Sequence, residues 1–262
     1  MTIQARSASI FLLLIFFLSA CANTAIITYE DPFAPTEGEK ITIRGFLGKP
    51  EGAGPFPAVV LQHGCGGIAD REKIWAKILR SWGYVTLILD SNSPRGVLDG
   101  CGKYGVQIDA RAYDAYAAKS YLSDLPIVNS DQIAILGFSQ GARSVLCVAN
   151  DQCMVERADD PFKVAIAFYP LCTGGLRDNN APLLVLIGEK DDWTPAARCH
   201  HMDKRPRGIH EATFIFYPNA YHNFDIPRKN STYRGHRLLY DPEATADARE
   251  KVKNFLSKYL DR

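Results

Sequence analysis

Short, nearly continuous apolar segments recur along the chain and constrain its fold more than any other feature. Runs of this length are typical of strands that are buried on both faces of a parallel sheet. The segments are AVVLQHG (58–64), YVTLILD (84–90), QIAILGFS (132–139), KVAIAFYP (163–170), PLLVLIGE (182–189) and ATFIFYP (212–218).

Segments with helical periodicity separate these runs. Apolar residues recur at helical spacing in REKIWAKILRSWG (71–83), and Asp241 with Pro242 supplies an N-cap and first turn for a helix over 241–260. Further helices are predicted over 106–125, 141–150 and 194–204, and an alternating strand over 40–50. This alternation of strand and helix predicts an α/β fold, a mostly parallel sheet with helices on both faces.

Length and charge exclude some classes of protein. A chain of 262 residues, 47% of them hydrophobic, is long enough to bury one large core. Its 30 lysines and arginines nearly balance its 29 acidic residues. Because no strong field of either sign results, we do not expect nucleic acid as a partner.

The N-terminal residues have the layout of a secretory signal. Arg6 precedes an apolar run that ends in small residues, and this run is short for a membrane span. The sequence LSAC also resembles a bacterial lipobox, which predicts that Cys21 is lipidated. Cleavage of an ordinary signal peptide, with Cys21 incidental, is the alternative.

These features divide the chain into three parts. We expect residues 1–20 to be a lipoprotein-type signal peptide, residues 21–39 to be a tether and residues 40–262 to be the domain. The expected location is the bacterial cell envelope, facing the periplasm. The membrane is then a partner through the lipid anchor. An anchor of the diacyl type holds a protein at a membrane surface where a single acyl chain would be marginal.

Six cysteines remain after Cys21, and an even number in an oxidising compartment favours disulfides. They are Cys65, Cys101, Cys147, Cys153, Cys172 and Cys199. Free thiols are one alternative. A metal site is another, because Cys199, His200 and His201 are adjacent. Adjacent side chains point in different directions, however, so we expect no metal.

The residues that follow each strand matter most, since ligands of such sheets bind beyond the carboxyl ends of the strands. In LGFSQGAR (136–143), Ser139 lies between Gly137 and Gly141 where a strand gives way to a helix. This is the context of a nucleophile elbow, in which small neighbours relieve crowding in a tight turn. A packing turn is the alternative if the pentapeptide is considered alone.

Asp191 and His222 follow later strands and complete the residue types that activate a serine. A histidine accepts the serine proton, and a carboxylate orients the histidine. Serine, aspartate and histidine in this order are typical of α/β-hydrolases. His63 is the strongest rival of His222, but it precedes the serine in a glycine-rich loop, where we expect a structural role.

The neighbouring Asp192 is the alternative acid. The spacing from Gly188 and to Pro195 favours Asp191, and we expect Asp192 to cap the helix that begins near Thr194. Two backbone N–H groups are candidates for an oxyanion hole. They belong to Gln140, at a helix N-terminus, and to Cys65 in the loop HGCGG (63–67).

Several segments together resemble the dienelactone hydrolase family of α/β-hydrolases. They are PAVVLQHGCGG, GFSQGAR, LLVLIGEKDDWTPAARC, FYPNAYHNFD and the terminal YDPEATADAREKVKNFL, within residues 40–262. The resemblance implies that Ser139, Asp191 and His222 are the catalytic triad and that Cys65 and Gln140 form the oxyanion hole. It implies no cofactor.

One departure from the family narrows the expected activity. The enzyme that gives the family its name uses a cysteine nucleophile, whereas this chain has Ser139. A serine esterase that cleaves a carboxylic ester through an acyl-enzyme is therefore the prediction, with a small acyl compound as substrate. An exopeptidase, a thioesterase and a catalytically silent envelope-binding lipoprotein are the alternatives, because this fold hosts many functions.

The sheet order suggests which cysteines pair. Cys65 and Cys101 are both expected in loops at the edge of the site, and Cys172 and Cys199 follow neighbouring strands. We therefore predict the pairs 65–101, 172–199 and 147–153.

Two further side chains are candidates for substrate contacts at the cavity. Arg95 is expected to reach the mouth, together with the basic insert 228–237, and Trp193 to line the cavity. These basic residues suggest an anionic or polar substrate or lipid headgroups. A solvated loop and, for Trp193, a place in the core are the alternatives.

Overall fold

A computed structural model describes residues 23–33, 37–102, 105–150, 160–176, 179–204, 208–227 and 230–260. The strands are β1 (Asn23–Glu30), β2 (Lys40–Gly48), β3 (Phe56–Gln62), β4 (Val85–Asp90), β5 (Val128–Phe138), β6 (Val164–Phe168), β7 (Leu183–Gly188), β8 (Ala212–Tyr217), β9 (Ser231–Tyr233) and β10 (His236–Leu238). The helices are α1 (Asp70–Ser81), α2 (Ile108–Ser123), α3 (Gln140–Ala149), α4 (Ala196–Asp203) and α5 (Pro242–Tyr259), with a short 3₁₀ turn at Ser93–Arg95.

Eight of the described strands form one sheet in the order β1-β2-β4-β3-β5-β6-β7-β8. Strands β3 to β8 pair in parallel, whereas β1 and β2 are antiparallel at one edge. Every residue of β6 and β7 is buried, as a strand covered on both faces requires. The predicted α/β fold is therefore confirmed.

The carboxyl ends of the parallel strands carry the polar residues singled out in the sequence. Beneath them an aromatic cluster fills the core, with the rings of Trp75 and Phe168 5.0 Å apart and those of Phe138 and Phe168 5.3 Å apart. Because packed aromatic rings of this size leave little room for movement, the cluster supplies a rigid floor for the residues above it.

The predicted tether is wrong in part, because residues 23–30 form strand β1 of the sheet. Ala25 and Ile27 are buried, while Ile26 and Thr28 between and after them face outward. This alternation over few residues is the signal of a half-buried strand. It was outweighed by the turn-forming DPFAPT segment that follows.

The predicted signal peptide and the lipidation of Cys21 lie outside the described residues and stay predictions. Within the described residues, no helix is both long and apolar enough to cross a bilayer. The short β9–β10 hairpin is a second element that the periodicity did not predict. It begins inside the basic insert 228–237 and ends one residue beyond it, at Leu238.

The burial of β1 predicts a difference between two adjacent isoleucines. Ile27→Ala should lower the free energy of unfolding by about 2–5 kcal/mol, because Ile27 is 5% exposed in the core. Ile26→Ala is the matched control and should change it by less than about 0.5 kcal/mol, since Ile26 is 55% exposed. Urea denaturation measures both values. Equal effects would mean that residues 23–30 are a tether after all.

Candidate active site

Ser139 lies between the end of β5 and the start of α3, in a strained backbone conformation. Its φ is 54° and its ψ is −114°, a region that residues with a side chain rarely adopt. The Ser139 N–H donates to the carbonyl of Phe168 at 3.0 Å, and its own carbonyl accepts from Arg143 at 2.9 Å. These bonds hold the sharp turn that presents the hydroxyl group above the sheet.

The two flanking glycines are required because backbone segments meet at this turn. A Cβ atom on Gly137 would lie 2.5 Å from the carbonyl carbon of Gly141. A Cβ atom on Gly141 would lie 2.6 Å from the carbonyl oxygen of His63. Only glycine therefore lets the start of α3 pack directly against the ends of β3 and β5.

The structure brings Ser139, His222 and Asp191 together in a hydrogen-bonded chain. Nε2 of His222 is 3.0 Å from Oγ of Ser139, and Nδ1 of His222 is 2.8 Å from Oδ2 of Asp191. All three residues are buried. With a proton on Nδ1, the histidine can donate to the carboxylate and accept from the serine hydroxyl, as a general base requires.

The carboxylate of Asp191 is fixed by the loop that follows β7. Oδ1 accepts from the N–H groups of Trp193 at 2.9 Å and Thr194 at 2.8 Å. The Thr194 hydroxyl lies 2.8 Å from Oδ2. These bonds stabilise the charged carboxylate and aim Oδ2 at the histidine.

Asp192 has a different place from the one expected. It does not cap α4, because the N–H groups at the start of that turn donate to Asp191 instead. The Asp192 carboxylate accepts from the N–H of Arg237 at 3.2 Å and lies 3.5 Å from Nδ1 of His236. It therefore ties this loop to the β9–β10 hairpin.

His63 is fully buried and belongs to the loop wall, as predicted. Its Nε2 accepts from the N–H of Ser91 at 3.2 Å, and its Nδ1 is 2.5 Å from the carbonyl of Gly64. Burial, together with the charge of Arg111, holds the pKa of His63 well below its usual range. The ring is therefore neutral and donates from Nδ1 to Gly64.

This bond has a consequence for the next peptide group. The Gly64 carbonyl accepts from Nδ1 of His63 and from the N–H of Gly67 at 3.2 Å. In a trans peptide the C=O and N–H groups point in opposite directions. The N–H of Cys65 is therefore directed away from His63, and Cys65 lines the same cavity as Ser139.

The second predicted donor, the N–H of Gln140, is the first amide of α3. The first N–H groups of a helix have no acceptor within the helix, and they carry the positive end of its dipole. The Gln140 side chain is engaged elsewhere, since its Nε2 donates to the carbonyl of Val106 at 3.1 Å. The Gln140 amide thus follows Ser139 directly in the chain, at the positive end of the α3 dipole.

A cavity of about 480 Å³ opens above the serine. Trp193 lines it, as predicted, and its ring centroid is 5.1 Å from that of His222. The Trp193 ring also stacks on the ring of His236, with the two centroids 4.9 Å apart. Trp193 therefore belongs to the wall of the cavity beside the candidate base.

The prediction for Arg95 is wrong. Its guanidinium forms an ion pair with the buried Asp114 at 2.9 Å and donates to Tyr29 at 3.2 Å. It lines a different cavity, toward β2 and the start of α2. The buried Asp114 carboxylate would destabilise the fold if it had no ion-pair partner. Arg95 therefore points toward Asp114 and away from the mouth of the cavity.

The β9–β10 hairpin supplies wall residues that sequence analysis had not named individually. Tyr233 and Leu238 line the cavity, and Leu238 forms an isolated parallel bridge with His222. Tyr233 donates to Asp99 at 2.7 Å, and with Arg234 it holds the pKa of Asp99 at about 2. The alternation in STYRGHRL, with its glycine turn, was the signal for this hairpin.

Arg71 and Asn223 are also wall residues that the sequence analysis missed. The Arg71 guanidinium donates to Oδ1 of Asn223 at 2.6 Å and pairs with Glu72 at 2.7 Å. It lies 4.7 Å from the centre of the Phe138 ring. The charge of Arg71 is thus balanced by Glu72 inside the wall. This arrangement joins α1 to the loop that carries His222, and no local sequence pattern predicts such a contact between distant segments.

Two of the three predicted disulfides are confirmed. Cys65 pairs with Cys101, and Cys172 pairs with Cys199. The third predicted pair, Cys147 with Cys153, lies outside the described residues because Cys153 does. A disulfide leaves Cys199 no thiolate for a metal, and the described residues contain no cluster of three or more metal-binding side chains.

The sequence profile of the dienelactone hydrolase family matches residues 43–260. The chain belongs to this family. The predicted class of enzyme, a hydrolase of ester bonds, is thereby confirmed, in a family named after the hydrolysis of a lactone, which is a cyclic ester. A curated relative from Bradyrhizobium sp. is named "Probable 2-oxo-3-(5-oxofuran-2-ylidene)propanoate lactonase". It is 26% identical over 201 residues, which are 68% of this chain and 77% of that protein.

Solved structures of other hydrolases share the fold. The dienelactone hydrolase-like promiscuous phosphotriesterase P91 from metagenomic libraries has a TM-score of 0.68 and 20% identity, over 92% of this chain and 99% of its own. Est1E from Butyrivibrio proteoclasticus has a TM-score of 0.62 and 17% identity, over 91% of this chain and 99% of its own. At these identities the likeness establishes the fold alone.

The crowding at Gly141 predicts that alanine at this position destabilises the protein, whereas helix propensity alone predicts that alanine stabilises it. Alanine favours a helix over glycine by about 1 kcal/mol. Gly141→Ala should nevertheless destabilise the protein by about 1–3 kcal/mol, because the added methyl group meets backbone that cannot move aside. Thermal unfolding measures the change.

Gly66→Ala is the control, since a Cβ atom there would meet only the Cys101 sulfur, at 3.9 Å. Its effect on the free energy of unfolding should stay below about 0.5 kcal/mol. A stable Gly141→Ala protein would show that the turn is less tightly packed than described.

Proposed function

We propose that this chain is a serine hydrolase that cleaves a carboxylic ester or lactone through an acyl-enzyme. Ser139 is the nucleophile, His222 the general base and acid, and Asp191 the residue that orients His222. The observation that carries the proposal is the continuous chain of hydrogen bonds from Asp191 through His222 to Ser139, at 2.8 and 3.0 Å. It ends on a serine held in the strained turn that exposes a nucleophile.

The first half of the reaction uses the proton path that these distances allow. Oγ of Ser139 attacks the carbonyl carbon while its proton passes to Nε2 of His222. The resulting imidazolium is stabilised by the Asp191 carboxylate at Nδ1. Collapse of the tetrahedral intermediate breaks the bond to the leaving oxygen, which takes the proton from Nε2.

The second half reverses these roles with water. His222 accepts a proton from the water molecule that attacks the acyl-enzyme. It then returns this proton to Oγ of Ser139 as the ester bond to Ser139 breaks and the carboxylic acid is released. In a lactone the leaving alcohol stays attached to the acyl group, so the product is a single hydroxy acid. No step requires a cofactor.

The tetrahedral oxyanion would be held by the N–H groups of Cys65 and Gln140. The first is aimed by the bond between His63 and Gly64, and the second is the first amide of α3. Preset donors of this kind cost no reorganisation during the reaction. Removing one such donor typically lowers the rate by about 10²–10³-fold.

The walls of the cavity and the family suggest the class of substrate. A cavity of about 480 Å³ with Trp193, Tyr233 and Leu238 in its wall suits an acyl group of modest size. The lactonase named among the relatives extends this proposal to cyclic esters. The enzyme that gives the family its name has a cysteine nucleophile, whereas this chain has Ser139. The serine favours ordinary carboxylic esters over dienelactone, the substrate of that enzyme.

Replacing the nucleophile tests the mechanism. Ser139→Ala should lower the turnover of a short-chain p-nitrophenyl ester by at least about 10³-fold and abolish labelling by a fluorophosphonate. Ser144→Ala is the control, because Ser144 is a fully buried serine of α3, the helix that follows Ser139. It should keep both turnover and labelling. Activity retained by Ser139→Ala would overturn the proposal.

The disulfide at the cavity gives a further prediction. The double variant Cys65→Ser, Cys101→Ser should lower kcat, because the loop that carries the Cys65 N–H loses its link to the neighbouring loop. The Cys65 carbonyl would keep its bonds from Gly100 and Asn92, both at 2.9 Å, so the loss should be partial.

Cys172→Ser with Cys199→Ser is the matched control, since this disulfide borders a separate depression near α4. Its kcat should change less under conditions where both variants are folded. An equal decrease in kcat for the two double variants would contradict the role given to the Cys65 loop.

A further inference from the structure

An apolar groove lies beside the cavity, separated from it by one loop. Its volume is about 570 Å³, and its apolar walls are Phe46, Ile68, Ile88, Val97 and Leu98. Gly66 and Gly67 line both the groove and the cavity above Ser139. The groove therefore adjoins the loop that carries the candidate oxyanion donor.

Large apolar side chains on this side of the molecule are exposed. Leu98 is 95% exposed and Phe46 is 41% exposed. Ile26, which is 55% exposed, lies diagonally across from Phe46 on the same face of the sheet, since Thr24 pairs with Phe46 and Ile26 with Arg44. We call Ile26, Phe46 and Leu98 the apolar face. Exposed apolar side chains grouped on one side of a domain mark an interaction site more often than scattered ones do.

The pairing of β1 and β2 locates the N-terminus of the sheet relative to this face. Strand β1 begins at Asn23, and its next residue, Thr24, pairs directly with Phe46. A lipid on Cys21, as predicted from the sequence, would therefore be attached close to the apolar face. From Cys21 to Asn23 the chain spans at most about 7 Å.

Charged residues of both signs border the face, and its basic side chains include three at or near the groove. Lys73 and Arg80 line the groove, and Arg44 is exposed on β2 two residues before Phe46. The acid in the groove is Asp90, whose carboxylate accepts from the N–H groups of Asn92 and Ser93. At the rim, Asp70 pairs with Lys73 at 3.3 Å, in an exposed position. Cations beside an apolar surface are attracted to anionic lipid headgroups.

We propose that the apolar face lies on the membrane into which the N-terminal segment is anchored. The N-terminal anchor would hold the chain on the bilayer, and the apolar face would then determine which side of the domain meets the lipid. A second copy of the chain is the alternative occupant, and the experiment distinguishes it from the membrane.

This arrangement goes beyond the proposed hydrolysis and does not depend on it. Ala22 alone separates the predicted anchor at Cys21 from the start of β1. An anchor so close to the sheet would restrict the rotation of the domain above the membrane. The loop of Gly66 and Gly67 would be held near the lipid surface, and the cavity would open beside the bilayer.

Quenching of tryptophan fluorescence by brominated lipids tests the orientation. The full chain, with its N-terminal anchor, is reconstituted into vesicles of phosphatidylethanolamine and phosphatidylglycerol with or without brominated acyl chains. Leu98→Trp adds a tryptophan to the apolar face. Ile209→Trp is the matched control, because Ile209 is 92% exposed and precedes β8, at the opposite edge of the sheet. The emission of the unsubstituted chain is subtracted.

The emission added by Leu98→Trp should be lost in brominated vesicles, and that of Ile209→Trp should be unchanged. Equal quenching of both, or of neither, would overturn the proposal. A change with protein concentration in the emission wavelength of Leu98→Trp, measured without lipid, would also overturn it. Such a change would mean that a second copy of the chain covers the face. Fluorescence is measured without substrate, so a failure here is distinct from a failure of Ser139 to react.

Discussion

The contact between Gly137 and Gly141 is the constraint on which the rest of the site depends. Backbone atoms of β5, α3 and the end of β3 approach each other where no side chain would fit. This contact forces Ser139 into a left-handed conformation, φ 54°, and lifts its hydroxyl above the sheet. The strain is compensated by the core below, where the aromatic rings of Phe138 and Phe168 pack under the turn.

The loops around the serine are braced from several directions. His63 fixes the Gly64 carbonyl, and a disulfide joins Cys65 to Cys101. Asp99, two residues earlier, accepts from Tyr233 of the hairpin. A bound substrate would thus meet groups whose positions are set before it arrives, which is the condition for electrostatic stabilisation of a transition state.

The sequence predicted the central sheet and the proximity of one serine, one aspartate and one histidine at its edge, because both follow from strong patterns. Buried strands require continuous apolar runs, and the strand ends of a parallel sheet converge, so Ser139, Asp191 and His222 could be grouped without coordinates. Strand β1 was missed because its alternation is short and precedes a proline-rich turn. Arg95 was misplaced because the buried Asp114 that pairs with it lies on a helix, and the sequence does not reveal which polar residues of a helix face inward.

The pairing of Leu238 with His222 links substrate range to catalytic rate, two properties that often vary separately in enzymes. The hairpin that shapes the cavity through Tyr233 and Leu238 is bonded to the backbone of the candidate base. Loops beyond a sheet normally accept changes in sequence without harm to the scaffold. Here a change that widens the mouth would also shift the histidine, so substrate range and catalytic rate are expected to evolve together in this protein.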